Sequence, residues 1–424
     1  MNQVVSAISD HRLVQTCAAL VDVETPTGYE RETAALAVAL LEQHGIHVHL
    51  LEHDERQASA WARIPGGDGP TILLYSPIDT VTTGATADDI PHVADTIVGH
   101  LLPHATISHD GSTVTGLGAH NPKGHAACII ETAAVLAGNE LTGDVIVAFG
   151  AGGMPTEPLD RDDRDQTGHG VGVNGILREF AAHGLRPDAS IVAKSGWFVQ
   201  HEEVGLAWID VHVTGTHTYV GARHRLAYRN PIADLAHIVL AIEADAADST
   251  DRRLGTLEPQ TMVANVSGGW SRTAAFLPQR ARLRVDCRLL PGETGDHARR
   301  RIDAVLDRVR IDVPGLDARS AVAREIAGSH TDRTHWICTA AATAWETIEE
   351  RTHPTPERLS GSTDANLIRN AGIPTVRIGL PKVHVAGTEL GFAEGMNTVD
   401  ADAMRKLTEL LVRATLEAQD RGPS

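Results

Sequence analysis

An apolar run over residues 71–75 reads as a buried strand and runs into Tyr75-Ser76-Pro77-Ile78-Asp79-Thr80-Val81, which delivers one carboxylate, Asp79, to the strand's end. Where strands alternate with helices, reactive groups gather at the carboxyl ends of the strands. A second polar group follows in Gly116-Leu117-Gly118-Ala119-His120-Asn121-Pro122-Lys123-Gly124. Its glycines permit close backbone approach, and they bring an imidazole, an amide and an ammonium together in one loop. A loop imidazole serves as metal ligand or general base. A buried carboxylate serves as base, as the orienting partner of another group, or as a purely structural anchor.

These groups need a frame. A helix is expected over 31–44, strands over 46–51 and 60–64, the apolar strand over 71–75, a helix over 125–136 and a buried strand over 145–149. That alternation describes a three-layer α/β catalytic domain with a mixed sheet between helices. Upstream, Val4, Val5, Ile8, Leu13, Val14, Cys17, Leu20 and Val21 read as one amphipathic helix. The composition shifts at 155–175, where the charge run at 160–165 is expected to be a solvated loop. From Gly205 the pattern becomes strict alternation over 206–213, 260–268 and 280–288, with helices over 230–246 and 295–310. That order makes a small sheet covered by two helices. The earlier style then resumes with a helix over 335–349 and a strand over 375–378. The expected organisation is a discontinuous catalytic domain of residues 1–204 and 326–424, with an inserted α+β lid of residues 205–325.

The 424 residues are too many for one ordinary core, in keeping with two domains. With 37 basic and 55 acidic residues the formal charge is −18, which argues against a nucleic-acid partner. Cys17, Cys128, Cys287 and Cys338 are scattered and form no C-x-x-C pair, so buried reduced thiols are expected. No run approaches the ~20 apolar residues of a membrane span, and the N-terminus lacks the pattern of an export signal. A cytoplasmic protein with no membrane partner is the expectation.

In order along the chain, several segments resemble the acetylornithine deacetylase, succinyl-diaminopimelate desuccinylase and carboxypeptidase G family of co-catalytic metallohydrolases. They are Asp79-Thr80-Val81, Gly116-x-Gly118-Ala119-x-Asn121-x-Lys123-Gly124, and Asn265-Val266-Ser267-Gly268-Gly269 leading to Pro278. Further on come Val285-Asp286-Cys287-Arg288-Leu289-Leu290-Pro291-Gly292-Glu293, Gly361-Ser362-Thr363-Asp364-Ala365 and Gly372-Ile373-Pro374-Thr375-Val376. The resemblance implies a lid that dimerises, so a homo-oligomer of at least two subunits. It also implies two divalent ions held by two histidines and three acids, with Asp79 orienting one histidine.

The chain departs from that pattern at each ligand. Pro77 stands at the first histidine, Asn121 at the bridging aspartate, Gly152-Gly153-Met154 at the Glu-Glu pair, Lys194 at the next acid, and Phe392-Ala393-Glu394-Gly395 near the last histidine. A bridged two-ion site loses both its donors and its compensating charge. The replacements for the old first shell are His120, Glu394 and Glu157 as metal ligands, for one weakly held divalent ion such as manganese or zinc. Asp79 and Asn121 are expected in catalytic roles, Asp79 bonded to Lys194 or Asn121 or acting as base. Lys194 and His224 are expected to bind substrate. Tyr219 falls on the lid histidine that stabilises developing charge in the family, with His217 beside it, and Ala275 replaces the lid asparagine.

Two classes of function remain. One is a metal-assisted hydrolase of a small non-peptide C–N bond, acting on a small aromatic carboxylate. Its departures are most like those of a relative in which water displaces the amine of 5-nitroanthranilate to give 5-nitrosalicylate. Trp197 or Trp270 could stack on that ring. The other is a catalytically silent binding subunit of the same fold, and a metal-free amidohydrolase using Asp79 or His120 lies between them.

Overall fold

The computed structural model describes residues 1–81, 104–156, 170–248, 252–385 and 387–422. The charge run at 160–165 and Glu157 lie outside the described residues. The chain divides into two compact units: Met1–His201 with Thr331–Pro354 and Thr363–Ser424, and Glu202–His330 with Thr355–Ser362. The return of the chain to the second unit after Pro354 has no counterpart in the expected boundaries. The Arg358–Glu258 ion pair at 2.9 Å and a bridge between Leu359 and Leu257 tie it there.

The first unit is built on a six-stranded sheet in the order Val48–Glu52, Ala58–Ile64, Gly143–Gly150, Gly69–Pro77, Ala189–Ala193 and Thr375–Ile378. The last four strands run parallel, while the first two pair antiparallel. The parallel strands therefore end at one edge, with Pro77 in register with Gly150 and Ala193 with Ile378. Successive strand residues alternate between two cores. Ile72 and Leu74 pack with the helices Asp10–Val21, His125–Ala137, Trp336–Glu349 and Ala401–Arg421, whereas Leu73 and Tyr75 pack with Val171–Ala182 and Asp364–Asn370. A strand buried on both faces must be apolar at consecutive positions, which is why 71–75 reads as an unbroken run.

The N-terminal segment forms two helices, Asn2–Val5 and Asp10–Val21, where one was expected. Ser9 causes the break, because its hydroxyl accepts from Arg12 N and caps the second helix, while its own N–H donates to Glu131 at 2.7 Å.

The second unit is a four-stranded antiparallel sheet in the order Thr261–Gly268, Arg280–Leu289, Gly205–Thr214 and Asp317–Ile326. One face packs on the helices Pro231–Asp248 and Gly295–Asp312 through Ile209, Val211, Leu283, Val285, Ile238 and Ile302. Three strands were expected. The fourth, Asp317–Ile326, lies at the edge and buries only Ala318 and Ile326, so it carries little alternation to read. All four cysteines are buried and unpaired.

Candidate functional site

The site grows from the edge where the parallel strands end. Two residues past Pro77, Asp79 is buried and accepts hydrogen bonds from Thr27 Oγ1 at 2.6 Å, Gly153 N at 2.7 Å and Met154 N at 3.0 Å. Glu30, also buried, accepts from Gly28 N and Gly152 N, both at 2.9 Å. Three successive amides, those of Gly152, Gly153 and Met154, are thus held by two carboxylates. Burial, and then the neighbouring charge of Asp79, push the Glu30 carboxyl up to about 8. Tyr75 donates its hydroxyl to Asp364 Oδ2 at 3.1 Å. Burial and then the Asp364 charge raise the phenol well above its ordinary range, which keeps it a donor.

This floor is packed too tightly for side-chain ligands. A Cβ on Gly153 would stand 2.1 Å from Pro77 Cβ and 2.9 Å from Asp364 Oδ2. Asp79 was expected to pair with Lys194 or Asn121, to act as base, or to be a buried structural anchor. In the structure its oxygens are taken by Thr27 and by main-chain N–H groups, so it anchors the turn.

The rim has a different character. Gly118, at φ 74°, starts a tight turn over Ala119–Gly124 that leads into His125–Ala137. His120 and Asn121 are 6% and 7% exposed. His120 Nε2 lies 3.2 Å from the carbonyl of Pro381. A carbonyl only accepts, so Nε2 carries the proton and Nδ1 holds a lone pair. Burial lowers the imidazole's pKa and keeps it neutral. Nδ1 is buried with no partner. Asn121 Nδ2 reaches Met396 Sδ at 3.7 Å, and Asn121 Oδ1 is likewise buried without a partner. His125 is the first residue of its helix, stacked edge-on to His120 at 5.5 Å and accepting from Leu380 N at 3.2 Å. Lys123 donates to Val23 O at 2.6 Å, and burial draws its ammonium down to about 7.

Lys194 follows directly on Ala189–Ala193, is buried, and sets its Nζ 3.7 Å from Met154 Sδ. Glu394 sits half-buried on the short helix Phe392–Met396, two residues before the methionine that Asn121 contacts. In the second unit Tyr219 is 52% exposed, with its ring 5.7 Å from that of Phe276. His217 donates from Nδ1 to Leu277 O at 2.8 Å, which leaves its neutral Nε2 an acceptor. Its expected role as a charge-stabilising donor therefore requires protonation, whereas Tyr219 donates as it stands. His224 Nε2 accepts from Arg225 at 3.0 Å, which leaves Nδ1–H as its donor. Trp197 donates to Glu349 at 3.0 Å and packs against the main core, so it is no stacking partner. Trp270 is 58% exposed.

The residues here do not fit a two-ion centre. Where the resemblance calls for ligands, the chain presents proline, glycines, a thioether, a neutral amide and an ammonium. Among the described residues no group of three or more His, Cys, Asp and Glu side chains is placed to hold a metal. His120 and Glu394 thus form no three-ligand set with a described third group.

Comparison with known proteins places these observations. Residues 201–325 match the peptidase dimerisation domain family. Over the whole chain, the fold is that of the dipeptidase Dug1p from Saccharomyces cerevisiae, with a TM-score of 0.71 at 12% identity, covering 100% of this chain and 99% of that one. It is likewise similar to a dinuclear metal-binding peptidase from Bacillus subtilis, with a TM-score of 0.58 at 17% identity, covering 95% and 98%. An amidase of the hydantoinase/carbamoylase family from Burkholderia multivorans gives a TM-score of 0.62 at 14% identity, covering 98% and 99%. No curated protein sequence matches the chain. The architecture is therefore the M20 metallohydrolase fold, an α/β domain carrying a dimerisation domain.

Proposed function

We propose that the chain is a hydrolase of a C–N bond other than a peptide bond in a small aromatic carboxylate. The proposed reaction is deamination of 5-nitroanthranilate to 5-nitrosalicylate. The observation that carries this reading is the pair of buried, unpartnered lone pairs on adjacent residues, His120 Nδ1 and Asn121 Oδ1. A lone pair shut away from water costs about 1–3 kcal/mol, so the pair makes sense as half of a contact that a ligand completes.

In this reading Lys194 holds the substrate carboxylate, Asn121 Oδ1 accepts from the amine, and His120 Nδ1 accepts from the attacking water. Water oxygen bonds to the ring carbon as one of its protons passes to His120 Nδ1, and the C–N bond breaks as that proton is returned to the amine, which leaves as ammonia. The nitro group carries the negative charge between those events. Asp79 and Glu30 act behind the site by fixing the turn at Gly152–Met154. One weakly held divalent ion, manganese or zinc, belongs to the proposal; it would be held by Glu394, Glu157 and the substrate, and where His120 Nδ1 ligates it the ion would take over from that lone pair the activation of water. Such an ion lowers the pKa of bound water. The match to a dimerisation domain supports a homodimer.

A second reading, a silent binding subunit of the same fold, is favoured by one observation: the strand-end carboxylate Asp79 is spent on its own turn. Calorimetry and product analysis with 5-nitroanthranilate, each with and without Mn²⁺ or Zn²⁺, separate the two. Release of ammonia and 5-nitrosalicylate is expected. Heat of binding without product supports the silent subunit, and neither heat, product nor bound metal overturns the hydrolase. Turnover that ignores metal and chelator leaves His120 as a base acting without an ion.

A further inference from the structure

The second unit contains a cavity of about 560 Å³ to which the proposed reaction assigns no role. Its walls come from two stretches, 218–232 and 268–278, that are bonded to each other along the main chain. Thr218 and Tyr219 pair with Leu277 and Phe276, and Val220 N donates to Ala275 O at 2.9 Å. Within the second stretch, Thr273 N donates to Trp270 O at 3.0 Å. The cavity is therefore a feature of folded walls, not a gap between independent loops.

Its chemistry divides into two kinds. Trp270 and Phe276 are 58% and 42% exposed, and with Ile232 they give the cavity an apolar, largely aromatic side. Large apolar side chains left together in water mark a place where something binds. Arg223 is the only lining residue with a formal charge. Its Nε donates to the Tyr228 hydroxyl, and its guanidinium lies 5.1 Å from the centre of the Tyr228 ring. Tyr228 thus steadies the guanidinium without neutralising it, and no described acid pairs with it. A steadied, uncompensated guanidinium selects a planar anion that takes two parallel N–H bonds, and a carboxylate is that shape. The aromatic side selects a flat ring. Small-molecule sites run from ~300 to ~1,000 Å³, so the cavity takes a substituted ring with room for its groups.

We propose that this cavity is a binding site for an aromatic carboxylate, with the ring on Trp270 and the carboxylate on Arg223. The proposal rests on the aromatic-carboxylate part of the function given above, and it adds a second place for that ligand class beside the one assigned to Lys194.

The test is titration calorimetry of the full chain with 4-nitrobenzoate, which lacks the amine and cannot be deaminated. Wild type is expected to bind it, with cyclohexanecarboxylate and nitrobenzene each at least about tenfold weaker, since one lacks the ring and the other the charge. Arg223→Gln and Trp270→Ala should each weaken 4-nitrobenzoate by about tenfold or more, and Trp270→Phe should retain most of the affinity. Both residues are solvent-exposed, so these variants keep the fold, and unchanged unfolding midpoints check that directly. Wild-type affinity in both Arg223→Gln and Trp270→Ala overturns the site, and so does the absence of binding at millimolar ligand. Turnover of 5-nitroanthranilate is measured in parallel. Binding that needs Arg223 and Trp270 without any turnover removes the hydrolase and leaves the site standing. Turnover together with wild-type affinity for 4-nitrobenzoate in both variants removes the site and leaves the hydrolase.

Discussion

Two turns end at the carboxyl edge of the first unit's sheet, and they have been treated in opposite ways. The turn Gly152–Met154 presents three main-chain donors, and each meets a carboxylate oxygen of Glu30 or Asp79. The turn at His120 and Asn121 presents two acceptors, and each is buried with nothing to accept from. The main chain of the first is satisfied without a ligand, while Glu30 Oε2 beneath it is buried without a partner. The acceptors of the second go unmet. Where relatives by resemblance carry acidic ligands on the first turn, this chain has withdrawn side chains from it and closed it on itself. In the proposed function, reactive capacity lies instead with the glycine-cornered turn and Lys194. A substituted site is therefore to be judged by which polar atoms are left wanting, more than by which motif letters survive.

The sharpest way to break this contrast is at Asp79. Asp79→Ala strands the Thr27 hydroxyl and two amides in a region without water, and should cost about 3 kcal/mol or more in urea unfolding. Asp79→Asn keeps one acceptor oxygen and should cost about half as much. A loss below about 1 kcal/mol for the alanine variant means the carboxylate does not hold the turn. His120→Ala should show the reverse profile, with stability changed by no more than about 1 kcal/mol and turnover of 5-nitroanthranilate reduced about 100-fold, the scale of a lost acid–base or ligand group. Equal damage to stability and turnover would erase the distinction between the turns. Lys194→Met should raise KM by about tenfold while moving kcat less, because a cation that only holds the carboxylate binds ground state and transition state alike.

The architecture was legible because burial leaves periodic traces. A strand covered on both faces gives the run at 71–75, and a half-covered sheet gives the alternation that begins at Gly205. The edge strand Asp317–Ile326 gave no such trace, since most of its residues face water. At the site, the turn at His120 and Asn121 could be found because its special groups lie together between glycines. Glu30 and Tyr75 could not be found. Glu30 meets Gly152 across 122 residues of chain, and Tyr75 meets Asp364 across 289, and no local pattern announces such convergence. For Asp79 the partners Lys194 and Asn121 were sought among side chains, while the donors present are Thr27 and two main-chain amides, in keeping with the structural-anchor alternative.

Glu30 supplies the most selective probe of the closed turn. Its carboxyl, buried and beside Asp79, titrates near 8 in the folded chain against an ordinary value of 4.5. The folded state then binds one more proton than the unfolded state between those pH values. Stability must fall as pH rises through that window and level off above about pH 8, with a slope of at most about 1.4 kcal/mol per pH unit from this one group. The stabilisation is fully present below the unfolded pKa. Glu30→Gln carries its donor permanently and keeps an oxygen for Gly28 N and Gly152 N, so it should lose this component of the slope and be more stable than wild type above pH 7. Urea midpoints for both proteins at a series of values from pH 5 to pH 9 measure the difference. Parallel curves would mean that Glu30 folds as an ordinary carboxylate. Two full charges would then face the same three amides, and the turn would be held by attraction alone, without a proton stored beneath it.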